Sequence, residues 1–442
     1  MKTRLLALWQ RLRYSFWFLP AVMAASAAAL AFAGVALDEN LNSQWLLAHP
    51  WAYTGGAEGA TAMLGVIASS MITIAGVVFS LTLVALSLAS SQFGPRLLRN
   101  FMRDTTTQLM LGTFVSTFLY CLLVMRTIRR AEEALFVPHL SVSLGVVFAL
   151  ASVAVLIYFI HHVAVSIQAN AIIAKVHAEL LERIERLFPQ DINEPAWGTA
   201  AAHPSDILTD FERDPQYVCA DDDGYLQLID PDALLSAATE HDTRVKILAR
   251  PGRYLIAGEP LVAVVPLPGD EAFVARIRAA FVLGEQRTSE QDVLFVVEQL
   301  VEMAVRALSP GINDPFTACS CVDRLASALC RFARRRLPDA NRIDTAGALR
   351  VIAPGVVFAE LLDAAFAPIR QHARTSVAVT QRLLEACIRI APHIHRPEDL
   401  VALRQQAEAI ARNAQAWPEA KDRESVAALN VEGLASCRLP NA

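Results

Sequence analysis

The 442-residue sequence predicts two parts suited to two solvents. One is a membrane α-helical part with four transmembrane helices. The other is a cytosolic α+β part with a small β-barrel-like subdomain and a helical C-terminal bundle. Three observations predict this. A chain of this length exceeds the roughly 250–300 residues at which a single core stops growing. Charge is unevenly divided, with 10 Lys+Arg and 6 Asp+Glu in residues 1–169 but 29 and 38 in residues 170–442. Four stretches of the first part are apolar over the roughly 20 residues needed to cross a hydrocarbon core about 30 Å thick.

Those stretches fall at about 14–37, 62–90, 108–125 and 137–160. Lys2, Arg4, Arg11 and Arg13 precede the first, as in either a cleaved leader or a retained helix. The apolar run is longer than the roughly 7–15 residues of a leader core, so a retained span is expected. Arg96, Arg99 and Arg103 follow the second span, whereas Asp38, Glu39 and Glu58 are the charges between the first and second. The positive-inside rule then puts both termini in the cytosol of a bacterial cell, with the chain a multi-pass protein of the inner (plasma) membrane. Arg126, Arg129 and Arg130 run against that trend, with Glu132 and Glu133 beside them, and Trp45 and Trp51 suit an outer interfacial belt.

The fourth span has no stop signal. Ile172, Val176, Leu180, Ile184 and Leu187 continue at helical spacing, so one helix over about 140–188 is expected, its 170–193 portion forming a rigid stalk beyond a membrane domain of 1–169. Pro195, Gly198 and Pro204 mark a linker. A β-rich subdomain over 205–268 follows, beginning with YVCA, the turn Asp221-Asp222-Asp223-Gly224 and YLQLID, which together predict a hairpin. The stretch PGRYLIAGEPL resembles lipoyl- and biotinyl-type barrels, but without the modifiable lysine a barrel scaffold is expected, not a carrier. Residues 269–416 are read as a helical domain, with helices over about 316–337, 355–390 and 397–414 and a loosely ordered tail at 417–442.

Four stretches, SQFGPR (91–96), FVPHLSV (136–142), YFIHHVAVSIQ (158–168) and ALSPGINDPFTA (307–318), together resemble the DUF2254 family. The resemblance spans nearly the whole chain. It implies a membrane protein and supplies no activity.

Composition excludes several functions. The acidic second part lacks the broad positive surface that nucleic acid requires. The seven cysteines include Cys319 and Cys321 at C-x-C spacing, which completes no zinc site, and they are read as reduced thiols. No Walker loop, dinucleotide fingerprint, nucleophile elbow or zincin helix is present, so the reading leans away from an enzyme and names no catalytic residue, metal or cofactor. No carboxylate or basic ladder lies within the spans, which argues against a proton pump or voltage sensor.

Three groups remain as candidates. Ser69, Thr73, Gly76, Ser80, Ser87 and Ser91 recur at steps of three, four and seven, a small polar stripe that either lines a path between several copies or packs helices closely. His161 and His162 sit where the fourth span ends, as interfacial anchors. Ser309, Asn313, Asp314 and Thr317 mark either a ligand loop or a helix corner, with Asp314 placed to cap and Pro315 to open a helix. His372, His393 and His395 form no metal spacing. The leading expectation is a homo-oligomeric channel or transport-type protein with a cytosolic regulatory domain. The alternative is a non-conducting membrane-anchored sensor or scaffold. The lipid bilayer and further copies of the chain are the expected partners, and no small ligand or ion is named.

Overall fold

The structure, a computed structural model, describes residues 17–40, 53–93, 105–129, 136–166, 168–189, 211 and 215–436. They form two compact units, Met1–Ala171 and Ile172–Ala442.

In the first unit, four helices occupy the four apolar stretches: α1 (Phe18–Asn40), α2 (Ala57–Phe93), α3 (Thr105–Thr127) and α4 (His139–Ser166). Each is long and apolar enough to cross a bilayer. Hydrocarbon offers the backbone no partners, so an apolar run satisfies its N–H and C=O groups within one unbroken helix. The third helix packs against the other three. Glycine makes the approach close: a Cβ on Gly112 would lie 3.3 Å from Pro20 Cα, and one on Gly145 2.9 Å from Leu64 Cδ2. Buried polar groups in this unit have partners, such as the Thr117 and Ser152 hydroxyls, 3.1 Å apart.

The start of α4 is held from another helix. The first turn of any helix leaves backbone N–H groups without intrahelical acceptors. Here the Asp38 carboxylate, near the end of α1, accepts from Leu140 N and Ser141 N at 2.9 Å each and from the Ser141 hydroxyl at 2.7 Å. The Tyr120 hydroxyl of α3 donates to the Ser141 carbonyl at 3.0 Å. Tyr53 N donates to Ser143 Oγ, and His139 Nδ1 lies 2.7 Å from the Tyr53 carbonyl, so that nitrogen carries the ring hydrogen.

The next helix, α5 (Ala169–Leu187), carries the chain into the second unit, to which its residues from Ile172 onward belong. The helix expected over 140–188 is thus two elements, with Gln168 between them in a bend. As expected from the spacing, Ile172, Val176, Leu180 and Ile184 form its buried face. Eight strands follow within a mixed region: β1 (Gln216–Cys219), β2 (Gly224–Ile229), β3 (Arg244–Ile247), β4 (Tyr254–Leu255), β5 (Pro260–Val265), β6 (Phe281–Gly284), β7 (Asn341–Ile343) and β8 (Leu349–Ile352). The helices α6 (Pro231–Glu240) and α7 (Glu271–Ala279) lie among them, capped by Asp230 and Asp270.

These strands do not make the expected barrel. They form an open five-stranded sheet, β1-β5-β3-β8-β7, and a three-stranded sheet, β4-β2-β6. A barrel requires the edge strands to pair with each other; β1 pairs with β5 and β7 with β8, and neither sheet closes. The expected hairpin is also absent, because β1 and β2 belong to different sheets and the acidic turn carries the chain between them. Asp223 fixes that crossing by accepting from Ala257 N at 2.7 Å. Strands β7 and β8 fall within the region read as wholly helical, where β8 runs parallel to β3.

The remaining helices are α8 (Val293–Ala307), α9 (Pro315–Ala333), α10 (Phe358–His372), α11 (Val377–Ile390), α12 (Pro397–Ala411) and α13 (Ala420–Ser436). The last occupies the stretch read as a loose tail and packs against α11. Trp417 and Val426 are buried there, and Trp417 Nε1 donates to the Arg374 carbonyl at 2.6 Å.

Sheets and helices meet at a buried ionic cluster. Asp292 caps α8 by accepting from Phe295 N and is paired with Arg287 at 2.8 Å, while Arg287 also reaches Glu298 at 2.7 Å. Gly252, at φ +94°, packs so closely that a Cβ would sit 2.1 Å from Asp292 Oδ2. Gln291 binds both backbone groups of Ile229 at 2.9 Å, fastening β2 to the segment leading into α8.

Two outcomes follow. Asp38→Ala strands two backbone donors and is expected to cost about 2 kcal/mol, read as a lower midpoint of thermal unfolding in detergent. Arg287→Ala leaves the Asp292 carboxylate, 3% exposed, without its cation; a loss of about 3–5 kcal/mol is expected by denaturant unfolding of the second unit.

Candidate functional site

The stripe is on the surface of the first unit. Ser69, Thr73, Gly76, Ser80 and Ser87 are all exposed, whereas Leu64, Ala68, Met71, Ala75 and Val78 are the buried face of α2. At 3.6 residues per turn the two sets lie roughly 150° apart around the helix. Among the described residues, the stripe therefore does not face the other helices of its own chain. The Thr73 hydroxyl donates to the Ser69 carbonyl at 2.8 Å, and no atom lies within 4 Å of a Cβ built on Gly76. Exposed Ile72, Val77, Phe79 and Val84 flank the stripe. Ser91 lies in α2, and its side chain is outside the described residues.

His161 is exposed in the last turns of α4, and His162 stacks on Tyr158 with ring centroids 6.0 Å apart. Adjacent helical residues point in different directions, so the two imidazoles do not converge.

The 309–317 segment is a tightly bonded corner. Ser309 O accepts from Asn313 N at 2.9 Å, and Asp314 N donates to Ala307 O at 2.7 Å, closing the end of α8. Asn313 takes φ +48°, a left-handed conformation asparagine tolerates. The Asp314 carboxylate then caps α9, accepting from Phe316 N and Thr317 N at 3.1 Å. Hydrogen bonds from the Thr317 hydroxyl and these backbone groups hold its pKa below the ordinary 3.8. What the corner presents outward is apolar: Ile312 is 48% and Phe316 83% exposed.

The stripe and the two histidines lie on different helices of the first unit, and the corner belongs to the second unit. The structure adds two features that sequence reading missed. Asp38, Tyr53, Tyr120, His139, Ser141 and Ser143 converge at one end of the four-helix unit, from positions too far apart in sequence to reveal it. His177 of α5 is buried with Nε2 unpartnered; desolvation, then the charges of Arg324 and Arg331, lower its pKa and favour the neutral ring. An open cleft of 530 Å³ lies between α6 and the β7 region, lined by Asp232, Ser236, Glu240 and Asp344 among others. Two of its carboxylates are engaged: Asp344 binds Arg350 at 2.7 Å, and Glu240 binds Arg276. His393 accepts from Arg334, and His372 Nδ1 lies 2.9 Å from the Pro368 carbonyl. No three His, Cys, Asp or Glu side chains cluster as metal ligands among the described residues, where six cysteines are free thiols.

Four bilayer-length helices followed by a separate mixed unit define a polytopic membrane protein. More narrowly, the chain belongs to the family described as predicted membrane protein (DUF2254), whose model matches residues 13–389. Uncharacterised proteins of Mycobacterium bovis and Mycobacterium tuberculosis are each 34% identical to it over 371 residues, covering 82% of this chain and 70% of the relative. No solved structure matches.

The corner generates one prediction. Asp314→Ala is expected to destabilise α9 by about 1 kcal/mol, and Asp314→Asn by less, since asparagine also caps well. Because the folded carboxyl has a depressed pKa, its stabilisation is complete above the ordinary value of 3.8 and is lost as pH falls through the folded value. Thermal unfolding of wild type and D314A should therefore differ at neutral pH and converge in strong acid.

Proposed function

We propose that the protein is a homo-oligomeric channel or transport-type protein of the bacterial inner membrane, in which α2 from each copy lines an axial path. The observation that carries this reading is the orientation of the stripe, exposed on the face of α2 opposite the chain's own core. Hydroxyls facing lipid gain no partners beyond their own helix. Around an axis shared by several copies they would meet water or one another, while Ile72, Val77, Phe79 and Val84 would contact neighbours or lipid. The open space beside Gly76 suits either close approach of another helix or a narrow passage.

On the same reading both termini and the second unit face the cytosol, following Arg96, Arg99 and Arg103 after the second span. The second unit then has a regulatory role, with its β-rich and helical parts coupled through Arg287 and Asp292.

Single-particle imaging of the purified protein, with flux measured in proteoliposomes, tests the proposal. The expected result is a ring with the 69–87 faces around a central opening, and flux abolished by Ser80→Trp without loss of assembly. A monomer or dimer with those faces occluded, or flux unchanged in S80W, would sink the pore and leave the non-conducting sensor or scaffold.

A further inference from the structure

We infer that His177 is an acid-sensitive latch inside the second unit, whose protonation releases α5 from α9. The inference rests on where this imidazole lies and on what surrounds it. It stands whether or not the first unit conducts.

Helices α5 and α9 lie side by side and run in the same direction. Arg331 pairs with Glu185 at 2.5 Å, and Arg335 donates to the Pro189 carbonyl at 3.0 Å, each tie spanning 146 residues. Between these ties the Phe188 and Phe332 rings meet edge-on, with centroids 4.7 Å apart. Carried back at the same offset, His177 stands level with Asp323 and next to Arg324.

The ring is 8% exposed, and its Nε2 has no hydrogen-bond partner. Its neighbours one turn away on α5 are Ile173, Ala174, Leu180 and Leu181, all apolar. From α9 the charges that act on it are those of Arg324 and Arg331, both positive. The segment before α8 brings Glu290, which is taken up by Arg183 at 3.2 Å and Arg186 at 3.3 Å. The charged side chains of α8 itself are Glu298, Glu302 and Arg306. Of these, Glu298 is bound to Arg287, and Glu302 is bound to Arg306. Among the described residues, no carboxylate charge acts on the ring.

A neutral imidazole can occupy this place, but an imidazolium is poorly accommodated. The charged ring carries two N–H donors; here Nε2 meets no acceptor, and two guanidinium groups repel the new charge. Burial first, and then Arg324 and Arg331, accordingly lower the pKa from its ordinary 6.5. When α5 lifts away, water solvates the ring and the ordinary value returns. The docked helix therefore binds fewer protons than the released one. Docking is at full strength above pH 6.5 and weakens as pH falls below it. Because a single proton is involved, the docking constant falls by up to about tenfold per pH unit until the docked pKa is reached. The boundary between the two units lies within α5, after Ala171, so acid loosens the second unit's hold on the helix that links them.

Hydrogen exchange read by mass spectrometry tests this on the full chain in detergent, between about pH 7.5 and 5. The exchange rate of a peptide from 176–187 is divided by that of a β3 peptide from the same sample, which cancels the pH dependence of the exchange chemistry. His177→Phe and His177→Asn, which cannot titrate, are measured alongside. In wild type the ratio should be flat above 6.5 and rise below it by up to about tenfold per pH unit. In both variants it should stay flat throughout. A flat wild-type ratio, whether from no loosening or from loosening of the whole unit, would overturn the latch. An equal rise in either variant would also overturn it, and would assign the acid response to the carboxylates of Glu185 and Glu290. Should neither variant fold, the wild-type onset decides: a rise that begins near 6.5 supports an imidazole, and one that begins only below about 5 belongs to carboxylates and overturns the proposal.

Discussion

Hydrocarbon supplies no hydrogen-bond partners, and the first unit is shaped by that constraint. It forces the apolar stretches into complete helices and leaves only helix ends to be satisfied by other means. Asp38 meets the need for α4 from a different helix, receiving three hydrogen bonds at 2.7–2.9 Å. The same contact fixes the ends of α1 and α4 together, and Tyr120 adds α3 to the joint. One helix-end requirement thus organises three of the four helices.

In the second unit the corresponding joint is ionic. Asp292 is at once the cap of α8, the partner of Arg287 and the wall against which the Gly252 turn packs. Burial works against the Arg287 charge, yet the carboxylates of Asp292 and Glu298 more than offset it and hold its pKa above the ordinary arginine value. A buried cation of this kind demands its partners, so the sheet turn and the helix start hold one relative position.

The sequence made the membrane helices legible because apolar length is a local property. The same is true of the face of α5, where Ile172, Val176, Leu180 and Ile184 are spaced as a buried stripe must be. Strand partners are not local. YVCA and YLQLID flank a good turn, but Val218 finds its partner in Val262 and Leu226 in Leu283. The strands at 341–352 are short and interrupted by Asp344 and Gly347, so no alternating pattern announced them. For the candidate residues the limit was direction. Spacing showed that Ser69, Thr73, Gly76, Ser80 and Ser87 share a face of α2, but only packing shows that this face points away from the chain's own core. The corner was similar: its capping aspartate could be read from Asn-Asp-Pro, whereas the outward Ile312 and Phe316 depend on how α8 and α9 meet.

The parallel pairing of β3 with β8 bears on how the protein is made. Asp242, beside β3, and Arg350, within β8, form an ion pair at 2.6 Å across 108 residues of sequence. During synthesis β3 emerges with one flank bare and keeps it until α8 and α9 have followed. The sheet is therefore finished late, and by a segment from inside the helical region. The boundary drawn along the sequence between a β-rich part and a helical part is thus crossed by the sheet itself, which takes its last strands from the helical side.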